Sequence, residues 1–431
     1  MNGKDSSFNE TSKAPFRGFG GEAIILAGGL GTRLRDAVPD LPKCMAPVAG
    51  RPFLFYVINA LRMEGIERFI FSLGYKHEII EQYLSAEFSR MDYQCVIEKE
   101  PLGTGGAIQL ACKGARDENI LIANGDTLFK IDLEQLTSIH FKSNADCTLA
   151  LKPMQNFDRY GTVELKGNIV TSFHEKQFCK EGLINGGVYI LNKEKFLSNN
   201  FPEKFSFEKD FLESKIVSGK IAGASQDGYF IDIGIPEDYN KAQEDLKHTP
   251  LDLKVIDKSW TLFLDRDGVI NEDKIGSYIF NTGEFVFTKG SPGIFKKLAD
   301  KFKYIIIVTN QRGVGRKLMT EDTLGSIHQK MQQEIETAGG KIDAIYYCTA
   351  VDNIHPSRKP NPGMIIDAKK QFPDIDLSKS IMVGNNPGDM QLGRNAGTYT
   401  VFVKTTHPEM KLPHPDIDLM YDSLADFAKA L

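Results

Sequence analysis

The stretch AIILAGGLGTRL, residues 23–34, begins as a strand and ends as a glycine-rich loop. Ile24, Ile25 and Leu26 leave the strand no polar face, which is typical of parallel sheets covered by helices on both sides. The glycines let the backbone approach another group closely, and backbone N–H groups beside a guanidinium can bind phosphate oxygens. The stretch is therefore either a tight turn or a loop that binds a nucleotide phosphate. The candidate nucleotide-binding residues are Leu26, Ala27, Gly28, Gly29, Gly31 and Thr32, with Arg33 as the cation.

Apolar strands and amphipathic helices alternate along the chain, and this alternation restarts once. Over 431 residues it predicts two α/β domains, each built on a doubly wound parallel sheet. We assign the domains to residues 22–247 and 259–431, joined by a linker at 248–258 that contains Pro250. Residues 1–21 are polar and rich in glycine and serine, and are predicted to form a flexible tail.

Composition narrows the range of partners. The formal net charge of −5 gives no indication of a nucleic acid partner. The six cysteines have no CxxC pairing, which indicates reduced thiols in the cytoplasm rather than a disulfide framework. The N-terminus has no secretory signal pattern, and no apolar run approaches the ~20 residues that span a bilayer. The expected partners are therefore small molecules in the cytoplasm, with the oligomeric state left open.

A series of segments follows the glycine loop in order. The loop lacks the last glycine of a GxGxxG fingerprint and the GK[ST] ending of a Walker A loop. LPKCMAPV comes next, and EPLGTGGAI, NGDT, FHEKQF, INGGVYIL and YFIDIGIPEDY follow. Together they resemble the sugar nucleotidyltransferase family, and within it the D-glycero-D-manno-heptose 1-phosphate guanylyltransferases. The resemblance implies a Rossmann-like nucleotidyltransferase fold over residues 22–247.

The chemistry implied by this resemblance is in-line displacement at the α-phosphorus of a nucleoside triphosphate. A sugar phosphate is already an anion and needs no base, so the site has to relieve charge repulsion and align the reactants. Asp126 and Asp232 are implied to hold Mg²⁺. Arg33 and Lys43 are implied to hold the departing pyrophosphate as catalytic cations.

The same resemblance implies how the base and the sugar are recognised. Backbone groups of Gly103, Thr104 and Gly105 would read the base, and Asp126 would also contact the nucleotide. The implied sugar-phosphate contacts are Gly161, Glu175, Lys176, Asn185 and Gly187. Mannose 1-phosphate guanylyltransferases and glucose 1-phosphate thymidylyl- or uridylyltransferases share this scaffold, so base and sugar stay open at this point.

The second half has its own ordered motifs. LFLDRDGVIN places Asp265 and Asp267 at the end of a buried strand, where side chains two residues apart face the same way. One carboxylate can attack phosphorus while the other donates a proton to the leaving oxygen. IIIVTNQRGVG, SRKPNPGM and IMVGNNPGDM follow. This order resembles the haloacid dehalogenase phosphatases, and most of all the heptose bisphosphate phosphatases and their histidinol-phosphatase relatives.

That resemblance covers residues 259–431 and implies a haloacid dehalogenase-like fold. Asp265 would be the nucleophile and Asp267 the acid and base. The implied catalytic residues are Asp265, Asp267, Thr309 and Lys359, the substrate contacts Asn310 and Arg358, and the Mg²⁺ ligands Asp265, Asp267, Asn385 and Asp389.

The second half departs from this family at two places. Of a zinc loop with three cysteines and a histidine, only Cys348 and His355 remain, so we predict no zinc. Asn385 stands where a Mg²⁺-binding aspartate is expected, with Asp389 following. A neutral amide oxygen is expected to weaken Mg²⁺ binding, and an aspartate at position 385 to strengthen it.

The two halves together predict a bifunctional enzyme that uses Mg²⁺ in both domains. It would remove the 7-phosphate of D-glycero-D-manno-heptose 1,7-bisphosphate and then join the heptose 1-phosphate to GMP from GTP. One alternative is a hexose 1-phosphate nucleotidyltransferase with a phosphatase of another specificity. The other, motivated by Asn385, is a phosphatase-like domain that has lost catalysis and only binds.

Overall fold

The computed structural model of the chain describes residues 19–29, 38–248 and 250–431. The chain divides into two compact units, one reaching His248 and the other continuing to Leu431. Both units are mixed α/β structures, as predicted. Within the described ranges, no helix is both long and apolar enough to cross a membrane. Three of the predicted nucleotide-binding and catalytic residues, Gly31, Thr32 and Arg33, lie outside these ranges.

The first unit contains a large sheet, two short ribbons and the helices that cover them. Its strands are β1 (Glu22–Ala27), β2 (Pro47–Val48), β3 (Arg51–Pro52), β4 (Arg68–Leu73), β5 (Asp92–Ile97), β6 (Asn119–Asn124), β7 (Thr127–Phe129), β8 (Cys147–Phe157), β9 (Thr162–Lys166), β10 (Ile169–Phe173), β11 (Cys179–Asn192), β12 (Ile221–Ser225) and β13 (Phe230–Asp232). Its helices are α1 (Phe53–Met63), α2 (His77–Glu87), α3 (Gly103–Cys112), α4 (Leu133–Lys142), α5 (Lys193–Leu197) and α6 (Pro236–Asp245), with a π-helical segment at Phe207–Glu213.

Nine strands form one sheet in the order β5-β4-β1-β6-β11-β8-β12-β10-β9. The first four pair in parallel, but β11 is antiparallel to both β6 and β8. The predicted parallel sheet is therefore confirmed for the four strands around the glycine loop and for the pair β8–β12, and wrong for the antiparallel pairs formed by β9, β10 and β11. The chain from β8 to β11 turns back through short connections, which suit antiparallel pairing, whereas parallel pairing needs long crossovers.

Strand β1 is buried on both faces of the sheet. Ala23 and Ile25 belong to one hydrophobic cluster and Ile24 to another, because successive strand residues point to opposite sides. Helix α1 contributes Phe53 and Leu54 to the first of these clusters. The glycine loop that follows β1 is thus attached to a strand held by packing on both sides.

A two-stranded ribbon brings two distant segments of the first unit together. Strand β7 pairs antiparallel with β13, and Thr127 lies opposite Asp232. The ribbon continues beyond the strands, because the N–H of Ile233 donates to the carbonyl oxygen of Asp126 at 3.2 Å. This pairing is what places the Asp126 and Asp232 side chains side by side.

The second unit is a six-stranded sheet flanked by helices. Its strands are β14 (Thr261–Leu264), β15 (Tyr304–Asn310), β16 (Ala344–Cys348), β17 (Ser380–Gly384), β18 (Tyr399–Val403) and β19 (Leu419–Tyr421), and its helices are α7 (Ile294–Lys301), α8 (Arg312–Gly315), α9 (Glu321–Thr337), α10 (Gly363–Gln371), α11 (Pro387–Ala396) and α12 (Leu424–Ala430). The strand order is β16-β15-β14-β17-β18-β19, and all neighbours are parallel. In this unit the predicted parallel sheet is observed in full.

The carboxyl ends of the central strands of the second unit carry its polar motifs. Asp265 follows β14, and its N–H donates to the carbonyl oxygen of Val383 in β17 at 3.0 Å. Asn310 ends β15, and Asn385 follows β17. Because these strands are parallel, all three residues lie at one edge of the sheet, where ligands of open α/β sheets bind.

The segment predicted as a linker contributes to the second core. Leu251 and Ile256 are 9% and 3% exposed and belong to the same hydrophobic cluster as Trp260 and Leu262. The second unit therefore includes residues of the segment 248–258, because their apolar side chains have a core to enter.

Because each unit has its own hydrophobic clusters, residues 1–248 and 250–431 should fold when they are produced separately. We expect two soluble halves, each with a single cooperative thermal transition followed by circular dichroism. Insolubility of both halves would contradict two independent cores.

A buried histidine should make the first unit sensitive to acid. His140 is 2% exposed, and its Nδ1 and Nε2 lie 2.9 Å from Thr148 Oγ1 and 3.1 Å from Asn119 Oδ1. Burial, helped by Lys195, lowers the pKa of His140 to about 4. The unfolded chain binds this proton near pH 6.5 and the folded chain does not, so stability falls as pH drops below 6.5.

At pH 5, about 1.5 units below the pKa of His140 in the unfolded chain, His140 should lower the free energy of unfolding by about 2 kcal/mol relative to pH 7. Urea unfolding of residues 1–248 at both pH values measures it. His140→Gln keeps a polar side chain that does not titrate. The free energy of unfolding of this variant should therefore fall by about 2 kcal/mol less between pH 7 and pH 5 than that of wild type. An equal loss in both proteins would refute the assignment.

Candidate active sites

The first site is organised around one lysine and two carboxylates. The ammonium of Lys43 donates to Asp126 Oδ2 at 2.6 Å and to Asp232 Oδ1 at 3.2 Å. Burial opposes the charged ammonium, but the two carboxylates outweigh burial and raise the pKa of Lys43. Asp232 Oδ1 also accepts the N–H of Gly234 at 2.7 Å. Three predicted residues from separate segments are thus brought into direct contact.

A cavity of about 740 Å³ opens next to this cluster. Lys43 and Asp232 line it, as do the predicted sugar-phosphate residues Lys176, Asn185 and Gly187. Lining residues that the sequence did not single out are Asn124, Thr127, Arg159, Tyr160, Gly186, Tyr189, Glu208, Phe230, Gly234, Ile235 and Asp238. The cavity offers both cations and hydroxyl-binding groups, which suits a phosphorylated sugar.

The remaining predicted sugar contacts differ in position. Glu175 is exposed and is not among the residues that line the cavity. Gly161 has a packing role, because a side chain there would collide with the carbonyl oxygen of His174. Asn185 is held in place, since its Nδ2 donates to the Tyr189 hydroxyl at 2.9 Å and its Oδ1 accepts the N–H of Gly187 at 3.0 Å.

Glu98 lies beside the described part of the glycine loop. A Cβ atom at Gly28 would come within 2.6 Å of Glu98 Oε1, so glycine is needed for this approach. The other carboxylate oxygen of Glu98 accepts the N–H of Leu102 at 3.1 Å, at the start of α3. Sequence analysis missed Glu98, although it lies two residues before the first residue of the EPLGTGGAI segment and directly follows strand β5.

The glycines of EPLGTGGAI pack against a neighbouring segment. A side chain at Gly105 would collide with the ring of Phe205, and one at Gly103 would lie 2.6 Å from the Phe205 carbonyl oxygen. The N–H of Gly105 donates to that same oxygen at 3.0 Å. The backbone of this segment therefore has partners within the protein, and its role in base recognition stays a prediction.

Thr104 connects α3 to the cavity. Its hydroxyl donates to Glu208 Oε2 at 2.7 Å and accepts the N–H of Phe207 at 2.9 Å. Ser206 Oγ lies 3.1 Å from the same carboxylate oxygen. The carboxylate of Glu208, which lines the cavity, is thus held by two hydroxyl groups.

The second site repeats the arrangement of a lysine between two carboxylates. The ammonium of Lys359 lies 2.7 Å from Asp265 Oδ1 and 2.6 Å from Asp389 Oδ1, and it donates to the carbonyl oxygen of Val308 at 3.1 Å. All three charged side chains are at least nine-tenths buried. Burial is offset by the two carboxylates, which raise the pKa of Lys359.

Asp265 and Asp267 have opposite electrostatic environments. Burial raises the pKa of Asp265 to about 7, with Lys359 opposing and Asp389 adding to the shift. Burial would also raise the pKa of Asp267, but Arg266 and hydrogen bonds from Asn271 and Gln311 outweigh it and lower that pKa. Asp267 therefore has a lower pKa than Asp265 in this structure.

Three residues that hold Asp267 were missed by sequence analysis. Arg266 Nη2 lies 2.9 Å from both carboxylate oxygens of Asp267. Gln311 Nε2 donates to Asp267 Oδ2 at 3.0 Å, and Asn271 Nδ2 donates to Asp267 Oδ1 at 3.0 Å. Arg266 Nη1 also lies 3.1 Å from Nε2 of buried His328, whose pKa is lowered to about 3 by burial and by Arg266. An arginine between two aspartates, in DRD, was the available signal.

The other predicted residues of the second site occupy the surrounding loops. Gln311 Nε2 donates a hydrogen bond to Thr309 Oγ1 at 2.9 Å. The backbone N–H of Lys359 donates to Asn310 Oδ1 at 3.1 Å. Arg358 is 9% exposed and donates to the Ala350 carbonyl oxygen and to Asn353 Oδ1. Its guanidinium therefore supports the loop before Lys359, and substrate clamping by Arg358 stays a prediction.

The same loop contains the two residues left from a zinc pattern. Cys348 Sγ lies 3.7 Å from His355 Nδ1, and His355 Nδ1 also accepts the N–H of Ser357 at 3.2 Å. Arg312 and Arg358 both donate to Asn353 Oδ1, within the loop. Protein hydrogen bonds thus hold this segment together, and the absence of zinc stays a prediction.

Asp389 and Asn385 belong to the start of helix α11. Asp389 Oδ2 accepts the N–H groups of Asn385 and Asn386 at 3.2 and 3.0 Å, while its Oδ1 faces Lys359. Asn385 is fully buried, and its Nδ2 donates to Thr406 Oγ1 at 2.6 Å. The predicted metal-binding residues Asp265, Asn385 and Asp389 therefore do lie at one edge of the sheet.

The donors of both sites suit a hard divalent cation. They are carboxylate and amide oxygens, and in each site two carboxylates already converge on one positive charge within 3.2 Å. Within the described ranges, no group of three or more His, Cys, Asp or Glu side chains is arranged as a metal site. The lysine ammonium occupies the space between the carboxylates in each case.

Comparison with known proteins assigns each half separately. Residues 22–249 match the Nucleotidyl transferase family, and residues 262–422 match the Polynucleotide kinase 3 phosphatase family. The first half is 52% identical over 227 residues to D-glycero-alpha-D-manno-heptose 1-phosphate guanylyltransferase of Aneurinibacillus thermoaerophilus, covering 53% of this chain and 99% of that protein. The second is 34% identical over 177 residues to D-glycero-alpha-D-manno-heptose-1,7-bisphosphate 7-phosphatase of Mycobacterium bovis, covering 40% of this chain and 91% of that protein.

Among solved structures, HddC from Yersinia pseudotuberculosis is 39% identical, with a TM-score of 0.48, and covers 52% of this chain and 99% of that one. Both family resemblances predicted from the motifs, and their fusion in one chain, are confirmed by the family and sequence matches. The chain therefore belongs to the nucleotidyl transferase family, and its residues 262–422, after that domain, match the polynucleotide kinase 3 phosphatase family.

Proposed function

We propose that this chain is a bifunctional enzyme of sugar-nucleotide synthesis. Its second domain removes the 7-phosphate from D-glycero-D-manno-heptose 1,7-bisphosphate, and its first domain transfers GMP from GTP to the heptose 1-phosphate. The products are GDP-heptose, pyrophosphate and inorganic phosphate. The observation that carries the proposal is that each half matches nearly the whole length of a relative named for one of two consecutive steps on the same sugar.

In the first domain, an oxygen of the heptose 1-phosphate attacks the α-phosphorus of GTP. A bond forms between that oxygen and phosphorus while the bond to the bridging oxygen of pyrophosphate breaks. Lys43 places positive charge where negative charge accumulates, and Arg33 is proposed to act with it. Lys176 and Asn185, which line the cavity, are proposed to hold the sugar phosphate.

In the second domain, the Asp265 carboxylate attacks phosphorus of the 7-phosphate. The phosphorus–oxygen bond to the sugar breaks, and Asp267 gives the leaving oxygen its proton. Water then attacks the aspartyl-phosphate, Asp267 takes the proton of that water, and phosphate leaves. Lys359 holds Asp265 in place and neutralises charge in the intermediate.

The proton positions required for this reaction differ from those that the surrounding protein groups favour. Attack needs Asp265 ionised and Asp267 protonated, whereas the surroundings raise the pKa of Asp265 and lower that of Asp267. A phosphate dianion next to Asp267 raises its pKa by charge repulsion, and positive charge next to Asp265 lowers its pKa. We infer that substrate binding reverses the order of the two groups.

We also propose Mg²⁺ as the cofactor of both domains. Asp126 and Asp232 would hold it in the first, and Asp265 and Asp389, with the Asn385 amide oxygen, in the second. Bound Mg²⁺ supplies positive charge that offsets repulsion between phosphates and the attacking group. Each lysine lies where it balances the charge of the two carboxylates.

Incubation of the protein with the heptose bisphosphate, GTP and Mg²⁺ tests the proposal, with products identified by mass spectrometry. We expect GDP-heptose, phosphate and pyrophosphate, and without GTP only heptose 1-phosphate and phosphate. A panel of mannose and glucose 1-phosphates with GTP, dTTP and UTP is the specificity control. Faster pyrophosphate release with a hexose 1-phosphate would contradict the heptose assignment.

Substitution in the first site should separate the two activities. Asp126→Asn and Asp232→Asn each remove a charge that faces Lys43, and should lower pyrophosphate release from GTP and heptose 1-phosphate at least ~100-fold. Phosphate release from the bisphosphate should stay within about twofold of wild type, because these residues belong to the other unit. Normal pyrophosphate release by either variant would exclude these carboxylates from catalysis.

The converse substitution tests the second site. Asp265→Asn removes the nucleophile and should abolish phosphate release, measured with a phosphate-detecting coupled assay. Guanylyl transfer to supplied heptose 1-phosphate should be unchanged. Ser326→Ala, on the exposed side of helix α9, is the matched control and should alter neither activity. Loss of both activities in folded Asp265→Asn protein would argue against two independent sites.

A further inference from the structure

Five residues around the start of helix α11 form a continuous chain of hydrogen bonds. The backbone N–H of Asp389 donates to the side chain of Asn386, which caps the helix. Asn386 Nδ2 then donates to Asn385 Oδ1 at 3.1 Å, and Asn385 Nδ2 donates to Thr406 Oγ1 at 2.6 Å. The Thr406 hydroxyl donates to Asp273 Oδ2 at 3.0 Å.

The direction of every bond in this chain is fixed by its two ends. A backbone N–H can only donate, so the Asn386 oxygen must face Asp389 and the Asn386 amino group must face Asn385. An ionised carboxylate can only accept, so the one proton of Thr406 must point to Asp273. Both ends therefore demand the same orientation of the Asn385 amide, with its oxygen towards Asn386 and its amino group towards Thr406.

The surroundings of the Asn385 amide are closely packed. The residue is fully buried, and a side chain at Gly268 would collide with its Nδ2. Gly268 has φ +79°, a conformation that favours glycine, and it follows the DRD motif directly. The Asn385 oxygen has two lone pairs and uses one for Asn386, which leaves one for a further partner.

We propose that Thr406 and Asp273 are positioning residues that fix the amide of Asn385, and that this hydrogen-bond chain requires asparagine rather than aspartate at position 385. The proposal rests on the proposed phosphatase function only in assuming that the amide oxygen of Asn385 is a ligand of a divalent cation. It reverses the expectation from the family pattern, in which an aspartate at position 385 strengthens Mg²⁺ binding.

The reason for the reversal is a conflict over one proton. An aspartate at position 385 cannot donate to Thr406, so two carboxylates would face a hydroxyl that has a single proton. While Asp273 keeps that proton, one carboxylate oxygen of residue 385 lacks a donor in a fully buried position, which is costly. If Asp273, which is exposed, gives the proton up, its hydrogen bond with Thr406 is lost. Replacing Asp273 by asparagine removes the conflict, because the amino group of the new side chain can donate to Thr406 and the hydroxyl proton becomes available to residue 385.

The test is a double-mutant cycle on the full chain with Mn²⁺ as the probe. All proteins carry Asp126→Asn and Asp232→Asn to silence the first site, and free Mn²⁺ is counted by electron paramagnetic resonance. Asp273→Asn alone should leave Mn²⁺ affinity within about twofold, because the oxygen of the introduced amide still accepts from Thr406. In the Asn385→Asp background the same substitution should tighten Mn²⁺ binding at least ~5-fold, the effect of restoring one hydrogen bond.

If Asp273 acted only through its charge, Asp273→Asn would weaken Mn²⁺ binding, and by the same factor in both backgrounds. Our proposal instead predicts tighter binding in the Asn385→Asp background. Equal effects of Asp273→Asn in the two backgrounds, or tighter binding by Asn385→Asp alone than by wild type, would overturn the proposal.

Thr406 provides a second measurement that a purely structural role would not reproduce. Thr406→Val keeps the shape but removes the acceptor, and should raise the Mn²⁺ dissociation constant roughly 5-fold, whereas Thr406→Ser should stay within about twofold. Equal affinity of Thr406→Val and wild type would overturn the proposal. If Mn²⁺ binding follows these expectations while the wild type, with its first site intact, releases no phosphate from the bisphosphate, the proposed phosphatase function fails and the positioning role stands.

Discussion

Both domains depend on one interaction, a lysine ammonium held between two carboxylates. Lys43 joins Asp126 and Asp232, and Lys359 joins Asp265 and Asp389. Without the lysine, each pair of carboxylates would repel at close range, most strongly in the second site, where burial weakens solvent screening. The lysines thus balance concentrated negative charge in each site. In the proposed function, the same carboxylates hold a divalent cation.

The two domains reach this arrangement by different topologies. In the first, the β7–β13 ribbon pairs residues far apart in sequence and sets Asp126 beside Asp232. In the second, neighbouring parallel strands end together, and Asp265 and Asn385 follow β14 and β17 directly. The loop before α10 brings Lys359 to the same edge, where Asn310 accepts its N–H. The second site is therefore built at the edge of the sheet by strand ends, one loop and the start of α11, whereas the first needs an additional ribbon.

This difference explains how much of the molecule the sequence could predict. The parallel sheet of the second domain and the buried strand β1 were predicted because apolar runs without a polar face have few alternatives. The antiparallel pairs of the first sheet were missed, since pairing direction depends on the connections between β8 and β11 rather than on the strands themselves. The role of Gly105 was also beyond local sequence, because Phe205, its packing partner, lies in a different segment.

Among the site residues, the aspartates and lysines at the centre of each site were predicted, and residues that orient them were not. Arg266 and Gln311 act on Asp267 through distances that a linear sequence does not contain. Asn385 shows the limit of motif comparison most clearly. Compared with a family pattern, it is an aspartate that has been lost. Its contacts instead indicate a need for a donor at position 385. Thr406, 21 residues later, donates its hydroxyl proton to Asp273 and can therefore only accept a hydrogen bond from Asn385. Whether a departure from a motif removes an activity thus depends on which neighbours donate and which accept, and those neighbours are known only from the fold.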